Sequence, residues 1–292
     1  MKFRTEAGRD LGVNERHPIK RMGSIVLSED ELKRMTESAR AYESLFIPAM
    51  FGHWASKVAG MAGLAPGERV LDVACETGVL ARAASGLVGE TGQVTGLDLN
   101  PGMLTVAREL APEVVWAQGD ACALPFEDEA FDVVMSNFGL MFFPDRQAAI
   151  REMLRVLRPG GRLLVAVWDT LANTPAYAAE VATLERLAGR RAADALSAPF
   201  VLGDLSILND LFALADKLEI TTHSGSVRFP SIAVMVEADL RGWLPVMGVH
   251  LEESQIQTIL NEAEKVLQTY LQPDGTIEFD SPAHIVLAHK ST

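Results

Sequence analysis

The sequence predicts an α/β fold in which buried strands feed helices through tight turns, and three observations carry that prediction. Val70-Leu71-Asp72-Val73 is a run rich in strand formers that ends on the short turn Ala74-Cys75-Glu76-Thr77-Gly78. A helical stripe of Val79, Leu80, Ala83 and Leu87 follows, so a helix is expected from about Thr77. A second strand, Val94-Thr95-Gly96-Leu97-Asp98, ends in an acid about twenty residues beyond the turn, the spacing at which nucleoside-binding α/β folds set a carboxylate against ribose hydroxyls.

The elements follow in chain order. Residues 1–27 mix Lys2, Arg4, Arg9, Arg16, Lys20 and Arg21 with little apolar periodicity and read as an N-terminal arm. Ser28-Glu29-Asp30-Glu31 is a capping box that starts a helix, and Pro48 is expected to separate it from a second helix reaching about Gly63. These cap helices occupy residues 28–66, and the main domain runs over 67–292, opening at the Pro66-Gly67 turn. A strand from Leu163 to Trp168 closes the core. Two further segments, about 171–203 and 230–275, are helical in pattern and predict a lid; in the second, Ile256, Ile259, Leu260, Ala263 and Leu267 form an apolar stripe. Leu218 to Phe229 and His284 to Lys290 alternate as strands do.

Composition bounds the function. A chain of 292 residues with 48% hydrophobic content can bury a core without staples. Neither a bilayer-spanning run nor the apolar stretch of a signal peptide is visible, so a cytoplasmic location is expected, with no stable membrane insertion. Cys75 and Cys122 belong to no metal-ligand pattern and read as reduced small residues beside a pocket; no metal is predicted. A formal charge of −13 argues against nucleic acid, whose binders present basic patches that release counterions.

The turn after the first strand does not carry the dinucleotide fingerprint, because Ala74, Glu76 and Val79 stand where its three glycines would be. V-L-D-V-A-C-E-T-G instead resembles the first motif of class I S-adenosylmethionine-dependent methyltransferases, usually V-L-D-V-G-C-G-T-G, with only the last glycine, Gly78, retained. Leu97-Asp98-Leu99-Asn100-Pro101-Gly102-Met103-Leu104 resembles the second motif, and Gln118-Gly119-Asp120-Ala121 with Leu124-Pro125-Phe126 the third. Phe131-Asp132-Val133-Val134 is similar to the fourth strand, and Leu154 to Leu163 to the helix-turn-strand that closes the core, so the likeness covers about residues 67–169. Ser136-Asn137-Phe138-Gly139-Leu140-Met141-Phe142-Phe143-Pro144-Asp145 is most similar to the small-molecule branch that includes the ubiquinone and menaquinone C-methyltransferases. Those enzymes usually carry Arg-Asn where this chain has Met141-Phe142, so a quinone substrate does not follow.

The resemblance implies a Rossmann-like, seven-stranded, mostly parallel sheet with helices on both faces, N-terminal cap helices and helical lid insertions; the two late strands would be its antiparallel pair. It implies S-adenosyl-L-methionine as cofactor, S-adenosyl-L-homocysteine as product and a small-molecule acceptor, and it admits a homodimer. By motif position Asp98 would hold the ribose hydroxyls, and Asp120 the adenine amino group with the Ala121 or Cys122 amide beside the ring. Asp72 would hold the methionine ammonium directly or through water, Leu99 and Met103 would flank the adenine, and Ala74, Cys75, Glu76, Gly78 and Asn137 complete the cofactor site.

Glu76 admits three readings. It turns outward and binding is ordinary, it contacts the methionine end and selects an altered cofactor, or it occludes the site and leaves a non-catalytic paralogue with a binding or regulatory role. Tyr42, Trp54, Phe138, Trp168, Trp243 and Met247 are candidates for an apolar acceptor pocket. His53 and His250 are the candidate general bases if the acceptor is oxygen or nitrogen. Arg241, beside Trp243, is a candidate carboxylate clamp, with a surface ion pair as its other use.

Overall fold

A computed structural model describes residues 28–291; the arm expected over 1–27 lies outside the described residues. Helix α1 (Glu29–Phe46) begins at the capping box, with the Ser28 hydroxyl oxygen accepting from the Glu31 amide and the Glu31 carboxylate accepting from the Ser28 amide. The break expected at Pro48 is absent. The chain instead passes through a π-helical turn, Ile47–Phe51, directly into α2 (Gly52–Met61). Pro48, second in that turn, lacks the amide that an interior helical residue would donate, and the local change from α to π spacing falls at that unmade bond.

The sheet builds from β1 (Arg69–Val73), α3 (Val79–Val88), β2 (Gln93–Asp98), α4 (Pro101–Leu110), β3 (Val115–Gln118), β4 (Phe131–Asn137), α5 (Arg146–Val156) and β5 (Leu157–Trp168). Beyond it come α6 (Pro175–Ala188), α7 (Arg190–Ser197), α8 (Leu205–Leu211), β6 (Lys217–His223), β7 (Ser226–Phe229), α9 (Ile232–Glu237), α10 (Leu244–Val246), α11 (Glu253–Val266), β8 (Ile277–Asp280) and β9 (Ala283–His289). The main sheet has seven strands in the order β3-β2-β1-β4-β5-β9-β6. β1 to β5 are mutually parallel, and β9 runs antiparallel between β5 and β6. Strand order reverses between β1 and β4, and in open α/β sheets the crevice at the carboxyl ends of such a pair is where ligands bind.

The stretch Leu218 to Phe229 divides, contrary to its reading as one strand. β6 joins the main sheet, whereas β7 leaves it and pairs antiparallel with β8 in a separate ribbon. The Ser224-Gly225 turn makes that departure possible, since a Cβ on Gly225 would lie 2.3 Å from the Trp54 ring. The 171–203 and 230–275 segments pack together through α6, α9 and α11, and a second π-helical turn, Ala238–Trp243, joins α9 to α10.

Buried aromatics tie the cap helices to the sheet. Phe138 and Trp168 stack with centroids 3.8 Å apart, Trp54 meets both rings edge-on, and Phe51 lies against both at a tilt. Among the described residues no helix is long and apolar enough to cross a membrane.

Candidate functional site

The turn after β1 keeps a glycine backbone without glycine. Ala74 and Glu76 hold φ of 56° and 53°, and Gly78 holds 86° before capping α3. Each non-glycine residue there costs about 1 kcal/mol, because its Cβ crowds the following carbonyl. Phe138, at the end of β4, has φ of 57°, so three of the four such non-glycine residues described lie at the carboxyl ends of the switch-point strands. Backbone strain concentrates where function requires a set geometry.

Contacts from neighbouring strands hold the turn in place. The Cys75 amide donates to the Leu97 carbonyl at 3.0 Å, and the Glu76 amide to Asp98 Oδ2 at 2.9 Å. Asp98 Oδ1 accepts from the Asn100 amide at 2.8 Å, while Asn100 caps α4 through the Gly102 and Met103 amides. Gly78 and Gly96 both lie under the Trp116 ring, with Cβ positions 2.2 and 2.3 Å from it, which bars any side chain at either. Gly139, in the loop after β4, approaches the β1 turn so closely that a Cβ would lie 2.8 Å from that of Ala74. Gly139→Ala is therefore expected to cost about 1–3 kcal/mol in urea denaturation. Combining it with Ala74→Gly, which deletes the opposing methyl, should recover most of that loss.

The electrostatics of the crevice are one-sided. Asp72 is 1% exposed, and neither of its carboxylate oxygens completes a hydrogen bond. Burial pushes its pKa well up, the Asp98 charge adds to that, and the Ala81 amide and Arg82 offset it only in part. Burial likewise raises Asp98, against the pull of the Asn100, Glu76 and Leu99 amides. Burial and then the Asp98 charge raise Glu76, and the Cys75 thiol is raised by burial, then by Asp72 and Asp98. Thr77 Oγ1, Ser136 Oγ and Asn137 Oδ1 are also buried without partners. Buried polar atoms are almost always satisfied, so this run of orphans at the ends of β1 and β4 calls for a ligand carrying donors and positive charge.

Helix α1 covers the crevice. The Tyr42 hydroxyl donates to Glu76 Oε2. Arg82 on α3 pairs with Glu43 at 2.8 Å and donates to the Thr77 carbonyl, while Arg40 pairs with Glu109 at 2.7 Å. Met35 packs on Gly102, where a Cβ would lie within 2.4 Å of its backbone. The Glu76 side chain therefore lies between the turn and the cap helix and not in bulk water.

Other candidate residues divide. Asp120 Oδ1 accepts from the Cys122 amide at 2.8 Å, so that amide is taken up locally, contrary to its expected place beside a ring; the Cys122 thiol donates to the Asp145 carbonyl. Ala121 is buried and Met103 half-buried, whereas Leu99 is 62% exposed at the rim. The aromatic pocket does not assemble as one wall. Trp54, Phe138 and Trp168 are core, consumed by packing on one another, and Tyr42 is engaged by Glu76. Trp243 donates to the Ala195 carbonyl and lies beside Phe142, and Met247 lines an open groove of about 420 Å³ with Met141, Phe142, Pro144, Arg146 and Val201. His53 on α2 and His250 in the loop before α11 lie outside the buried polar cluster; partial burial of the His53 ring and then Lys57 lower its pKa. Arg241 forms a two-bond ion pair with Glu253, the surface use of that side chain.

Sequence reasoning missed Thr77, Ser136, Arg82 and Arg146. Ser136 had a visible signal in its position at the end of a predicted strand beside Asn137; Arg146, whose Nε is unpartnered, had none.

Residues 71–165 match the family model described as a methyltransferase domain. Among curated proteins, the chain is 46% identical over 126 residues to the ubiquinone/menaquinone biosynthesis C-methyltransferase UbiE of Ectopseudomonas mendocina, covering 41% of this chain and 49% of that protein. The same enzyme of Pseudomonas putida is 42% identical over 146 residues, covering 47% and 57%. The chain thus spans about half the length of the curated relatives it matches. The fold is similar to that of the YcgJ protein of Bacillus subtilis, with a TM-score of 0.55 and 21% identity over 82% of this chain and 99% of that one. It is also similar to Haemonchus contortus phosphoethanolamine N-methyltransferase 2 in complex with S-adenosyl-L-methionine, with a TM-score of 0.56 and 21% identity over 91% of this chain and 61% of that one.

Proposed function

We propose that this chain, whose residues 71–165 match the methyltransferase domain model, transfers a methyl group from S-adenosylmethionine to a small, partly apolar molecule. One observation carries the reading: buried, unpartnered Asp72 stands with Asp98 and Glu76 at the switch point of the sheet, three carboxyl groups with no cation of the chain to compensate them in full, matched to a ligand with two positive centres. When bound, the cofactor would supply an activated methyl group: the acceptor's electron pair would form the new bond to the methyl carbon as the carbon–sulfur bond breaks and its electrons return to sulfur.

Each residue of the chain then has a positioning task. Asp72, relieved of its orphaned state, would hold the ammonium; Asp98, already fixed by two backbone amides, would take the ribose hydroxyls; Asp120 and the Ala121 amide would take the adenine. Cap helix α1 would exclude water above the turn, leaving alignment at contact distance as the main source of rate. The glycine-like backbone kept at Ala74 and Glu76 favours an operating cofactor turn over a non-catalytic paralogue.

The acceptor would enter by the groove beside Phe142 and Met247. Its volume of about 420 Å³ falls in the range of small-molecule sites, and the loop after β4 touches the cofactor turn with its first half and the groove with its second. Arg146 offers the groove one cationic side chain. The net charge of −13 favours this class of acceptor over nucleic acid, and the cytoplasm is the compartment proposed.

Calorimetric titration of ligand-stripped protein with S-adenosylmethionine tests the reading. Micromolar binding is expected, followed by release of S-adenosylhomocysteine with some member of a small-acceptor panel. No heat at millimolar ligand would overturn it.

A further inference from the structure

We infer that Glu76 makes this site selective for a cofactor with a positive charge at sulfur over the neutral thioether left after transfer. The inference rests on the cofactor reading above and concerns the residue in which this turn departs most from the motif it resembles. Glu76 occupies a left-handed position, φ 53°, that glycine fills without strain, so its side chain is held there at a conformational cost. Its amide is fixed by Asp98, and its half-buried carboxyl is oriented by the Tyr42 hydroxyl on the helix that roofs the turn. It stands in the chain between Asp72, which is two-fold orphaned, and the Asp98 carboxylate.

A ligand lying across the turn from Asp72 to Asp98 passes this carboxyl group. Two acids suffice for an ammonium and a ribose; the third adds a negative charge for which the other cationic centre, the sulfonium, is the matching partner. Transfer of the methyl removes the positive charge from sulfur. Burial and Asp98 favour the protonated form of this group in the absence of a cation, so the sulfonium is the partner that stabilises its carboxylate; against a neutral thioether that pairing is lost, and the product is held less tightly than the cofactor.

The experiment compares dissociation constants for S-adenosylmethionine, its amine isostere sinefungin and neutral S-adenosylhomocysteine, in the native protein and in Glu76→Gln and Glu76→Gly. Glutamine keeps the shape without the charge, and glycine also relieves the backbone, so the two variants separate charge from strain. Both are expected to lose about tenfold in preference for the two cationic ligands over S-adenosylhomocysteine. Equal shifts for all three ligands would overturn the inference, as would tighter binding of every ligand by the glycine variant alone, the signature of simple occlusion. Native protein that binds all three without discriminating charge would overturn the inference while leaving the cofactor reading intact. Native protein that binds none would overturn both.

Discussion

Asp98→Ala is expected to weaken S-adenosylmethionine binding about 100-fold while changing folding stability by only about 1 kcal/mol, a separation that calorimetry and urea denaturation can read on one sample. Both effects follow from the same side chain. Its oxygens are 2.8 and 2.9 Å from the Asn100 and Glu76 amides, so the carboxylate is already oriented when a ligand arrives. Each hydrogen bond from a ribose hydroxyl to an ionised acceptor is worth about 1.5–3 kcal/mol, and losing two reaches about 3 kcal/mol or more, which is 100-fold or greater in affinity. Stability moves little because two contributions oppose. Alanine leaves two amides without their acceptor, yet it also removes a charge whose pKa burial has raised and which repels Asp72 and Glu76. Asp98→Asn should fall between native and alanine in affinity, since the amide oxygen accepts without the charge.

What the sequence discloses about this molecule is what depends on near neighbours. The capping box at Ser28, the strand and turn from Val70 to Gly78, and the acid closing β2 are all legible because caps, periodicity and turn chemistry act over a few residues. The continuation of α1 through Pro48 is hidden because proline at the second position of a π-helical turn reads locally as a stop. The desertion of the main sheet by β7 depends on β8, some fifty residues later, and the link from Tyr42 to Glu76 spans 34 residues. The aromatic residues show the same division. Composition marks Trp54, Phe138 and Trp168 as able to wall a pocket, and only the packing of the cap helices against the sheet turns them into core.

Glu180→Gln is expected to stabilise the protein progressively from about pH 5 to pH 9, by on the order of 2–4 kcal/mol at the upper end, with little effect at the lower. Glu180 on α6 is 1% exposed and faces Asp239, 3% exposed on the second π-helical turn; Glu180 Oε1 and Oε2 and Asp239 Oδ2 have no hydrogen-bond partner. Burial pushes Glu180 up to about 8, while Asp239 is raised by burial and then by the Glu180 charge. Tyr177, one turn before Glu180, is raised as well, by burial and then by both acids, so no group of the cluster compensates the negative charge. In the unfolded chain both acids ionise near their ordinary values, so between those values and about 8 the folded state binds more protons. Stability from the protonated pair is therefore fully present below the unfolded values and is lost as pH rises through the folded ones. Glutamine mimics the protonated form at every pH, and the difference between variant and native denaturation curves cancels the carboxylates elsewhere. A difference that does not grow with pH would show that Glu180 is ionised in the folded protein. The consequence reaches the proposed acceptor groove, because Asp239 shares its π-helical turn with Trp243, whose ring lies against Phe142. Ionising the pair strains the helices that carry that wall, so acceptor affinity should weaken over the same pH range in the native protein and hold steady in the glutamine variant.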